Sequence, residues 1–277
     1  MKVKLTTLCE NTAAAPGIVA EWGWSIFIQA NGMNILFDTG GGFAAAANAD
    51  LLGVDLRKID KIVLSHAHGD HTGGLRNILK RTESKEVIAH PAVWISKYRK
   101  EDKDKTPTYR GIPFAREELE RYATFTLSRK PVQISENIMT TGEIPRRTDF
   151  EAIESTFLVK DGNSFKQDDF PDDLALVLNT KKGLVVILGC AHRGIINTIL
   201  HAQEITEEKK VQAVIGGTHL FPKKPQQVEQ TIQALKEIGV QNIGVSHCTG
   251  FDAAVKLKTA FGDRFFLNNA GSLRTIE

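Results

Sequence analysis

Residues 64–75 read LSHAHGDHTGGL and place three histidines and one aspartate within six positions: His66, His68, Asp70 and His71. His66 and His68 stand two apart on a segment that extends from an apolar strand, so both side chains project to the same side and could chelate one ion. Asp70 and His71 follow at the turn into a predicted helix and could reach a second ion, while the glycines of the stretch permit a tight backbone path. Imidazole and carboxylate ligands suit zinc, manganese, iron or cobalt. The spacing therefore predicts a metal site.

Seven of the eight histidines are predicted to lie just past the carboxyl end of a strand. His66, His68 and His71 follow KIVLS, His90 follows EVIA, His192 follows GLVVILGC, His219 follows AVIGGT, and His247 follows IGVS. His201 falls within a predicted helix, and His90, which precedes a proline, is interpreted as structural. Ligands of open α/β sheets gather at the carboxyl ends of strands, where several loops converge. We therefore expect several of these histidines to share one site.

The chain is predicted to have two similar halves, each with a β-hairpin followed by alternating strands and helices. In the first half, strands are predicted at residues 3–8, 24–30, 33–38, 61–65 and 86–89, and helices at 43–52 and 74–80. In the second half, strands are predicted at 174–180, 184–188, 211–215, 242–245 and 264–267, and helices at 195–205, 226–238 and 253–261. No linker rich in proline, glycine or serine separates the halves. We therefore expect residues 1–277 to form one domain.

Residues 96–121 interrupt the alternation with a highly charged segment, for which we predict a solvated loop and a helix. Its first part, residues 96–110, carries six basic and three acidic residues. This excess of positive charge favours a lid over a small anionic substrate. Residues 145–171 lack a clear strand or helix period and are predicted to be irregular.

Composition argues against several classes of function. The formal net charge is +2, from 35 basic and 33 acidic residues, so a general attraction to nucleic acid or to an anionic membrane is not expected. The longest strongly apolar run, GLVVILGCA at 183–191, is far shorter than the roughly 20 residues that span a bilayer. The first residues lack the features of a secretory signal, and three cysteines are too few for a disulfide framework. A cytoplasmic protein is therefore expected, of undetermined oligomeric state.

The sequences HAHGDH at 66–71 and ILFDTG at 35–40 resemble the signature motifs of the metallo-β-lactamase fold superfamily. The order of the predicted elements resembles that superfamily across nearly the whole chain. The resemblance implies an αββα sandwich with a site for one or two metal ions at one edge of its sheets. It also implies two sets of ligands, namely His66, His68 and His192 for one ion and Asp70, His71 and His247 for the other.

One departure from the superfamily concerns Cys190. Many members have a Gly-Asp pair at the end of the late hairpin, where the aspartate bridges the two metals, whereas this chain has Gly189 and Cys190. Either the Cys190 thiolate replaces that carboxylate, or Cys190 is structural and water alone forms the bridge. Zinc is the expected metal, with manganese or iron as alternatives. Asp38 of the FDTG motif is expected either to hold a ligand histidine in place or to cap a turn.

Three later stretches resemble a narrower branch, the 7,8-dihydropterin-6-yl-methyl-4-(β-D-ribofuranosyl)aminobenzene 5'-phosphate synthases. They are GLVVILGCAHRGIINTI at 183–199, GGTHLF at 216–221 and SHCTG at 246–250. That branch implies a transferase that condenses a pterin diphosphate with an arylamine. The superfamily as a whole implies a hydrolase that uses metal-activated water on a small anionic ester or phosphoester, and this is our first interpretation. A non-catalytic, metal-dependent binding protein is a third.

Two residues are candidates for a direct part in the chemistry. Asp70 would orient the reacting group, and His219 would donate to a substrate oxygen or carry a proton. His219 could equally be a structural histidine in a glycine-rich turn. Trp22, Trp24 and Tyr109 could stack on a planar ring, although packing in the core is the simpler explanation.

Overall fold

A computed structural model describes residues 1–83, 85–101, 106–221 and 223–277. Its first elements are β1 (Val3–Cys9), β2 (Ser25–Ala30), β3 (Met33–Phe37), α1 (Ala44–Leu51), β4 (Lys61–Val63), α2 (Gly69–Thr72), α3 (Leu75–Leu79), β5 (Lys85–Ala89), β6 (Lys97–Arg99), β7 (Thr108–Tyr109), α4 (Arg116–Leu119), β8 (Ala123–Leu127), β9 (Gln133–Ser135) and β10 (Ile138–Thr140). They are followed by β11 (Phe157–Asp161), β12 (Ser164–Gln167), β13 (Leu176–Thr180), β14 (Gly183–Leu188), α5 (Ile195–Thr206), β15 (Val211–Gly217), α6 (Pro225–Ile238), β16 (Asn242–Ser246), α7 (Phe251–Phe261), β17 (Phe265–Leu267) and β18 (Leu273–Ile276). Every helix among the described residues is too short or too polar to cross a membrane.

Two seven-stranded sheets face each other, and a third sheet of four strands lies beside them. The strand orders are β18-β1-β2-β3-β4-β5-β8, β17-β16-β15-β14-β13-β10-β9 and β12-β11-β6-β7. Alternate residues of a strand point to opposite faces, so Ile26 and Ile28 of β2 pack into the core between the large sheets, while Phe27 packs beneath α1 and α3. The αββα sandwich predicted from the sequence is confirmed.

The structure of strand β14 explains why its sequence, GLVVIL, is a continuous apolar run. Val185 and Ile187 enter the core between the sheets, whereas Leu184, Val186 and Leu188 pack against the cluster that contains α5, α6 and α7. Because both faces of the strand are buried, both sets of side chains are apolar.

The parallel strands of each sheet end at the edge that carries the histidines. In the first sheet β3, β4 and β5 run parallel, with Phe37 opposite Val63 and Val63 opposite Ile88. In the second sheet β14, β15 and β16 run parallel, with Leu188 opposite Gly216. The loops after these strands therefore meet at one edge, as expected for ligand sites in α/β sheets.

Two segments differ from their prediction. The segment 145–171, predicted to be irregular, contains the antiparallel hairpin of β11 and β12. The charged segment 96–121 contains a short helix, α4, but it also contributes β6 and β7 to the four-stranded sheet. Lys97 at its start is only 1% exposed, so the prediction of a solvated loop is wrong there. Tertiary contacts override local charge at this position, because Lys97 finds buried carboxylate partners.

Candidate metal centre

The first cluster joins His66 and His68 of the signature loop with His192, which follows β14. Nε2 of His66 lies 3.1 Å from Nδ1 of His68, and one ring nitrogen from each of the three residues lies within 4.8 Å of the others. All three side chains are buried. Three nitrogens that converge at this spacing suit a zinc-type site. The structure therefore brings together the residues predicted to share the first ion.

These three imidazoles are neutral. Burial lowers the pKa of His68 to about 3, and burial together with neighbouring histidines lowers the pKa of His66 and of His192 well below the ordinary value. Neutral imidazole is the form that binds metal. Nε2 of His68 and Nε2 of His192 are buried without a hydrogen-bond partner among the described residues. Unpaired buried polar atoms are costly, so this donor set fits a bound divalent cation.

The second cluster combines Asp70 and His71 of α2 with His247, which follows β16. Oδ2 of Asp70 lies 3.3 Å from Nε2 of His247, and one donor atom from each residue lies within 4.8 Å of the others. Burial alone would raise the pKa of Asp70, but a hydrogen bond with His247 and the nearby histidines hold that pKa well below its usual range. Trp22 Nε1 donates to Asp70 Oδ2 at 3.1 Å. Asp70 is therefore an oriented carboxylate at neutral pH.

Asp38 connects the FDTG stretch to the signature loop. Its Oδ1 accepts a hydrogen bond from the Ser65 backbone N at 2.7 Å, and its Oδ2 accepts one from Ser65 Oγ at 2.7 Å. Oδ2 also lies 2.7 Å from Nδ1 of His71. Burial alone would lower the pKa of His71, but the Asp38 carboxylate raises that pKa above its ordinary value. The contact predicted between Asp38 and a candidate ligand histidine is present.

Two cysteines lie at the same centre. Cys190 Sγ is 3.1 Å from Nε2 of His71, and it groups with donor atoms of His247 and Cys248 within 4.8 Å. Cys248 Sγ accepts a hydrogen bond from the His219 backbone N at 3.3 Å. Of the two roles that the sequence left open for Cys190, this geometry favours the ligand role. Cys248 directly follows the candidate ligand His247, and the sequence drew attention to it for that reason without assigning it a role.

His219 follows β15 and faces the same cavity. Its Nε2 lies 2.8 Å from Oε2 of Glu154, which also forms an ion pair with Lys223. Burial alone would lower the pKa of His219, but interactions with Cys248 and Glu154 raise its pKa to about 9. His219 is therefore an imidazolium at neutral pH, able to donate a hydrogen bond or a proton to an anionic ligand.

The remaining two histidines lie away from the clusters. Nδ1 of His90 accepts a hydrogen bond from the Ala92 backbone N at 3.0 Å, and its Nε2 lies 2.9 Å from Oε1 of Glu143. Nε2 of His201 lies 3.1 Å from the Thr141 carbonyl oxygen. Both sets of contacts hold local structure, in agreement with the structural role predicted for His90.

A cavity of about 710 Å³ opens over the two clusters. Its walls include Trp22, Arg99, Tyr109, Arg110, Phe157 and Phe221. Trp22 is 59% exposed and Tyr109 is 48% exposed, so both offer ring surface to a ligand, whereas Trp24 is fully buried between the sheets. Of these three aromatic residues, Trp24 is therefore the one that packs in the core. The volume falls in the range of small-molecule sites, roughly 300–1,000 Å³.

Several residues at the site were not found from the sequence. Phe170 stacks on the His192 ring with centroids 3.9 Å apart, and Phe157 lies 5.2 Å from the same ring. The Ala67 backbone N, between two candidate ligands, donates to Oδ2 of Asp172 at 2.9 Å. Gly162 and Asn163 form the two-residue turn between β11 and β12, and a Gly-Asn pair is a hairpin signal that could have located Phe157.

A family model described as the metallo-beta-lactamase superfamily matches residues 23–192. The chain belongs to this superfamily, as the motifs in its sequence predicted.

Among individual relatives, the chain is 33% identical to the 7,8-dihydropterin-6-methyl-4-(beta-D-ribofuranosyl)-aminobenzene-5'-phosphate synthase of Methanocaldococcus jannaschii. The match covers 98% of this chain and 96% of the relative. Among solved structures, Tm1679, described as a metal-dependent hydrolase of the beta-lactamase superfamily, matches with a TM-score of 0.84 and 29% identity over 99% of this chain and 98% of that chain. Zn(2+)-bound PqqB from Methylobacterium extorquens matches with a TM-score of 0.58 and 8% identity over 99% of both chains, which shows the common fold.

Proposed function

We propose that this chain is a metal-dependent transferase that condenses a pterin diphosphate with a phosphate-bearing arylamine. The observation that carries the proposal is the cavity over the two clusters, which has aromatic rings and the cationic Arg99 in its walls. Aromatic rings suit planar reactants, and an arginine suits a phosphate group. The likeness to the M. jannaschii synthase over 98% of this chain supports the same reaction class.

In this proposal each cluster holds one divalent cation. His66, His68 and His192 bind the first ion, and Asp70, His71 and His247 bind the second, with the Cys190 sulfur as a further donor beside them. Nitrogen, oxygen and sulfur donors together favour zinc, and manganese or iron are the alternatives. When bound, the ions would stabilise the negative charge that develops on the departing diphosphate.

The chain's own residues position the reactants and manage charge. A carbon–nitrogen bond forms at the pterin methylene, the carbon–oxygen bond to the diphosphate breaks, and the diphosphate leaves with the electron pair. The amine loses one proton to solvent. His219, an imidazolium in the cavity wall, donates to an oxygen of the leaving group, and Asp70, held by Trp22, orients the reacting groups.

The test combines metal analysis of the purified protein with an assay of both reactants together and of each reactant alone. The proposal expects stoichiometric divalent metal and a condensation product that requires both reactants. His66→Ala and Asp70→Ala should reduce turnover by at least 100-fold, whereas His90→Ala, at a histidine outside the clusters, should not. Diphosphate release at the same rate without the arylamine would overturn the transferase proposal.

A second candidate is hydrolysis of a small anionic ester or phosphoester by water. The 29% identity to Tm1679, described as a metal-dependent hydrolase, favours it. A panel of phosphodiesters, lactones and thioesters tests this candidate, since turnover would need only water as the second reactant. Full turnover in His66→Ala and Asp70→Ala would contradict both enzymatic proposals. Metal-dependent binding of a ligand without any turnover would favour the binding protein.

A further inference from the structure

Strand β6 sends two cationic side chains toward the interior. Lys97 and Arg99 stand two residues apart and therefore lie on the same face of the strand. Lys97 Nζ lies 2.7 Å from Oδ2 of Asp168 and 2.6 Å from Oδ1 of Asp172. Burial alone would lower the pKa of Lys97, but the two carboxylates raise that pKa above its ordinary value. The charge of Lys97 is therefore fully compensated within the protein.

Arg99 differs from Lys97 in its partners. Among the described residues its guanidinium forms no ion pair, and its buried Nε atom has no hydrogen-bond partner. Its best-defined contact is with the face of the Phe157 ring, whose centroid lies 5.4 Å from Cζ. Arg110, the other arginine of the cavity wall, is instead paired with Glu101 at 3.0 Å. Within the part of the chain that the structure describes, Arg99 is thus a partly desolvated cation without an ion-pair partner in the wall of the cavity.

Arg99 also lies close to the first cluster. The Phe157 ring that it covers is 5.2 Å, between ring centroids, from both His68 and His192. An anion held by Arg99 would therefore lie about one aromatic ring away from the candidate metal ligands. This separation suits a substrate whose phosphate group is anchored at Arg99 while its reacting atoms lie over the metal centre.

We propose that Arg99 is the residue that binds a phosphate group of the substrate, and that the cavity selects aromatic compounds carrying a phosphomonoester or diphosphate. This inference rests on the proposed function and names its anion subsite. The planar guanidinium can donate two parallel hydrogen bonds to a phosphate, which a lysine ammonium cannot reproduce. The Nε of Arg99, for which the described residues supply no hydrogen-bond partner, is one such donor.

The experiment measures the dissociation constants of phenyl phosphate and pyrophosphate for the metal-loaded protein by calorimetry. Arg99→Gln should weaken both by about 10- to 100-fold, as expected for the loss of a hydrogen-bonded charge, and Arg99→Lys should give an intermediate loss. Arg110→Gln is the matched control and should change the constants by less than about threefold, since Arg110 is already paired. Metal content, measured in every variant, should stay unchanged.

Unchanged affinity in Arg99→Gln, or an equal loss in Arg110→Gln, would overturn the inference. If Arg99→Gln does not fold, Arg99→Lys carries the test alone, and wild-type affinity in that variant would count against bidentate binding. Because binding is measured without turnover, failure of the proposed condensation reaction can be distinguished from failure of the Arg99 subsite. Loss of phosphate affinity in the variant would support the anion subsite even where no condensation product forms.

Discussion

At the scale of single residues, several residues of the metal centre have backbone conformations that residues other than glycine rarely adopt. Positive φ angles occur at Asp38 (57°), Ala191 (52°), His219 (50°) and His247 (52°), all at or beside the two clusters. Such conformations cost free energy for residues other than glycine, and they persist where surrounding contacts determine them. The sequence identified Asp38, His219 and His247 as candidate residues, but it did not indicate that their backbones are strained.

Asp38→Asn is expected to weaken metal binding by about 10- to 100-fold, as is typical when a residue that orients a ligand is lost. The variant keeps the shape of Asp38 but removes the charge that holds His71 Nδ1 at 2.7 Å. Competition with a chromophoric chelator would measure the change. The exposed Asp60→Asn is the matched control. Equal metal affinity in both variants would show that Asp38 only caps a turn.

Asp173 should make stability depend on pH. Burial raises its pKa to about 7, so between the unfolded value near 3.8 and about 7 the folded state binds one proton more than the unfolded state. The contribution of Asp173 to the free energy of unfolding is therefore fully present below pH 3.8 and is lost as the pH rises to about 7. Asp173→Asn removes this dependence. Urea unfolding of both proteins between pH 4 and 8 would test it, and a constant difference across that range would refute it.

At the scale of elements, the signature loop at residues 64–75 and the segment that follows Asp38 approach so closely that only glycine fits at the points of contact. A Cβ atom placed on Gly73 would overlap the Gly41 carbonyl oxygen, and one on Gly74 would overlap the Thr39 carbonyl oxygen, each well inside van der Waals contact. The glycines are needed for this close approach, since neither has a positive φ. The two sequence motifs are thus parts of one packed unit.

Gly73→Ala is expected to lower the free energy of unfolding by about 1–3 kcal/mol through overpacking and to reduce metal affinity, because the loops must separate. Gly42→Ala is the control, since its added methyl would meet only the flexible Glu21 carboxylate, at 3.3 Å. Chemical denaturation and metal titration of both variants provide the comparison. A Gly73→Ala protein with wild-type values in both measurements would disprove the packing argument.

At the scale of the whole molecule, a buried ion cluster joins the four-stranded sheet to the metal centre. Lys97 of β6 pairs with Asp168 and Asp172, and Asp172 accepts a hydrogen bond from the backbone between His66 and His68. The segment predicted to be a solvated lid is therefore partly a structural support of the centre.

Lys97→Met should lower the free energy of unfolding by about 3–5 kcal/mol, because it leaves two carboxylates buried without a counterion. Lys160→Met, on an exposed position of the same sheet, is the control and should change stability by less than about 0.5 kcal/mol. Adding Asp168→Asn to Lys97→Met should restore part of the loss. A Lys97→Met protein as stable as the Lys160→Met protein would contradict the role of the ion cluster.

Removal of metal should destabilise the whole fold. A chelator removes a ligand that binds only the folded state, and free metal at 100 times its dissociation constant stabilises by about 2.7 kcal/mol. Urea unfolding with added metal and with added chelator measures the difference. His66→Ala with His192→Ala is the control and should lose most of this metal response. Identical unfolding curves for the wild-type protein under both conditions would argue against a bound ion.

The sequence by itself determined most of the strands and helices outside residues 96–171 and the residue types of the signature loop. Those features depend on periodicity and spacing, which are local properties of the chain. The motifs also sufficed to predict the αββα fold and the residues of the two clusters, because the superfamily repeats the same order of elements.

Only the tertiary structure decided which charges are neutralised and which side chains form the walls of the site. Lys97 meets its carboxylate partners 71 and 75 residues further along the chain, while Arg99, on the same strand, meets none among the described residues. The sequence shows two similar cations in one charged segment. Their different roles follow from burial and from distant partners, which sequence periodicity does not encode.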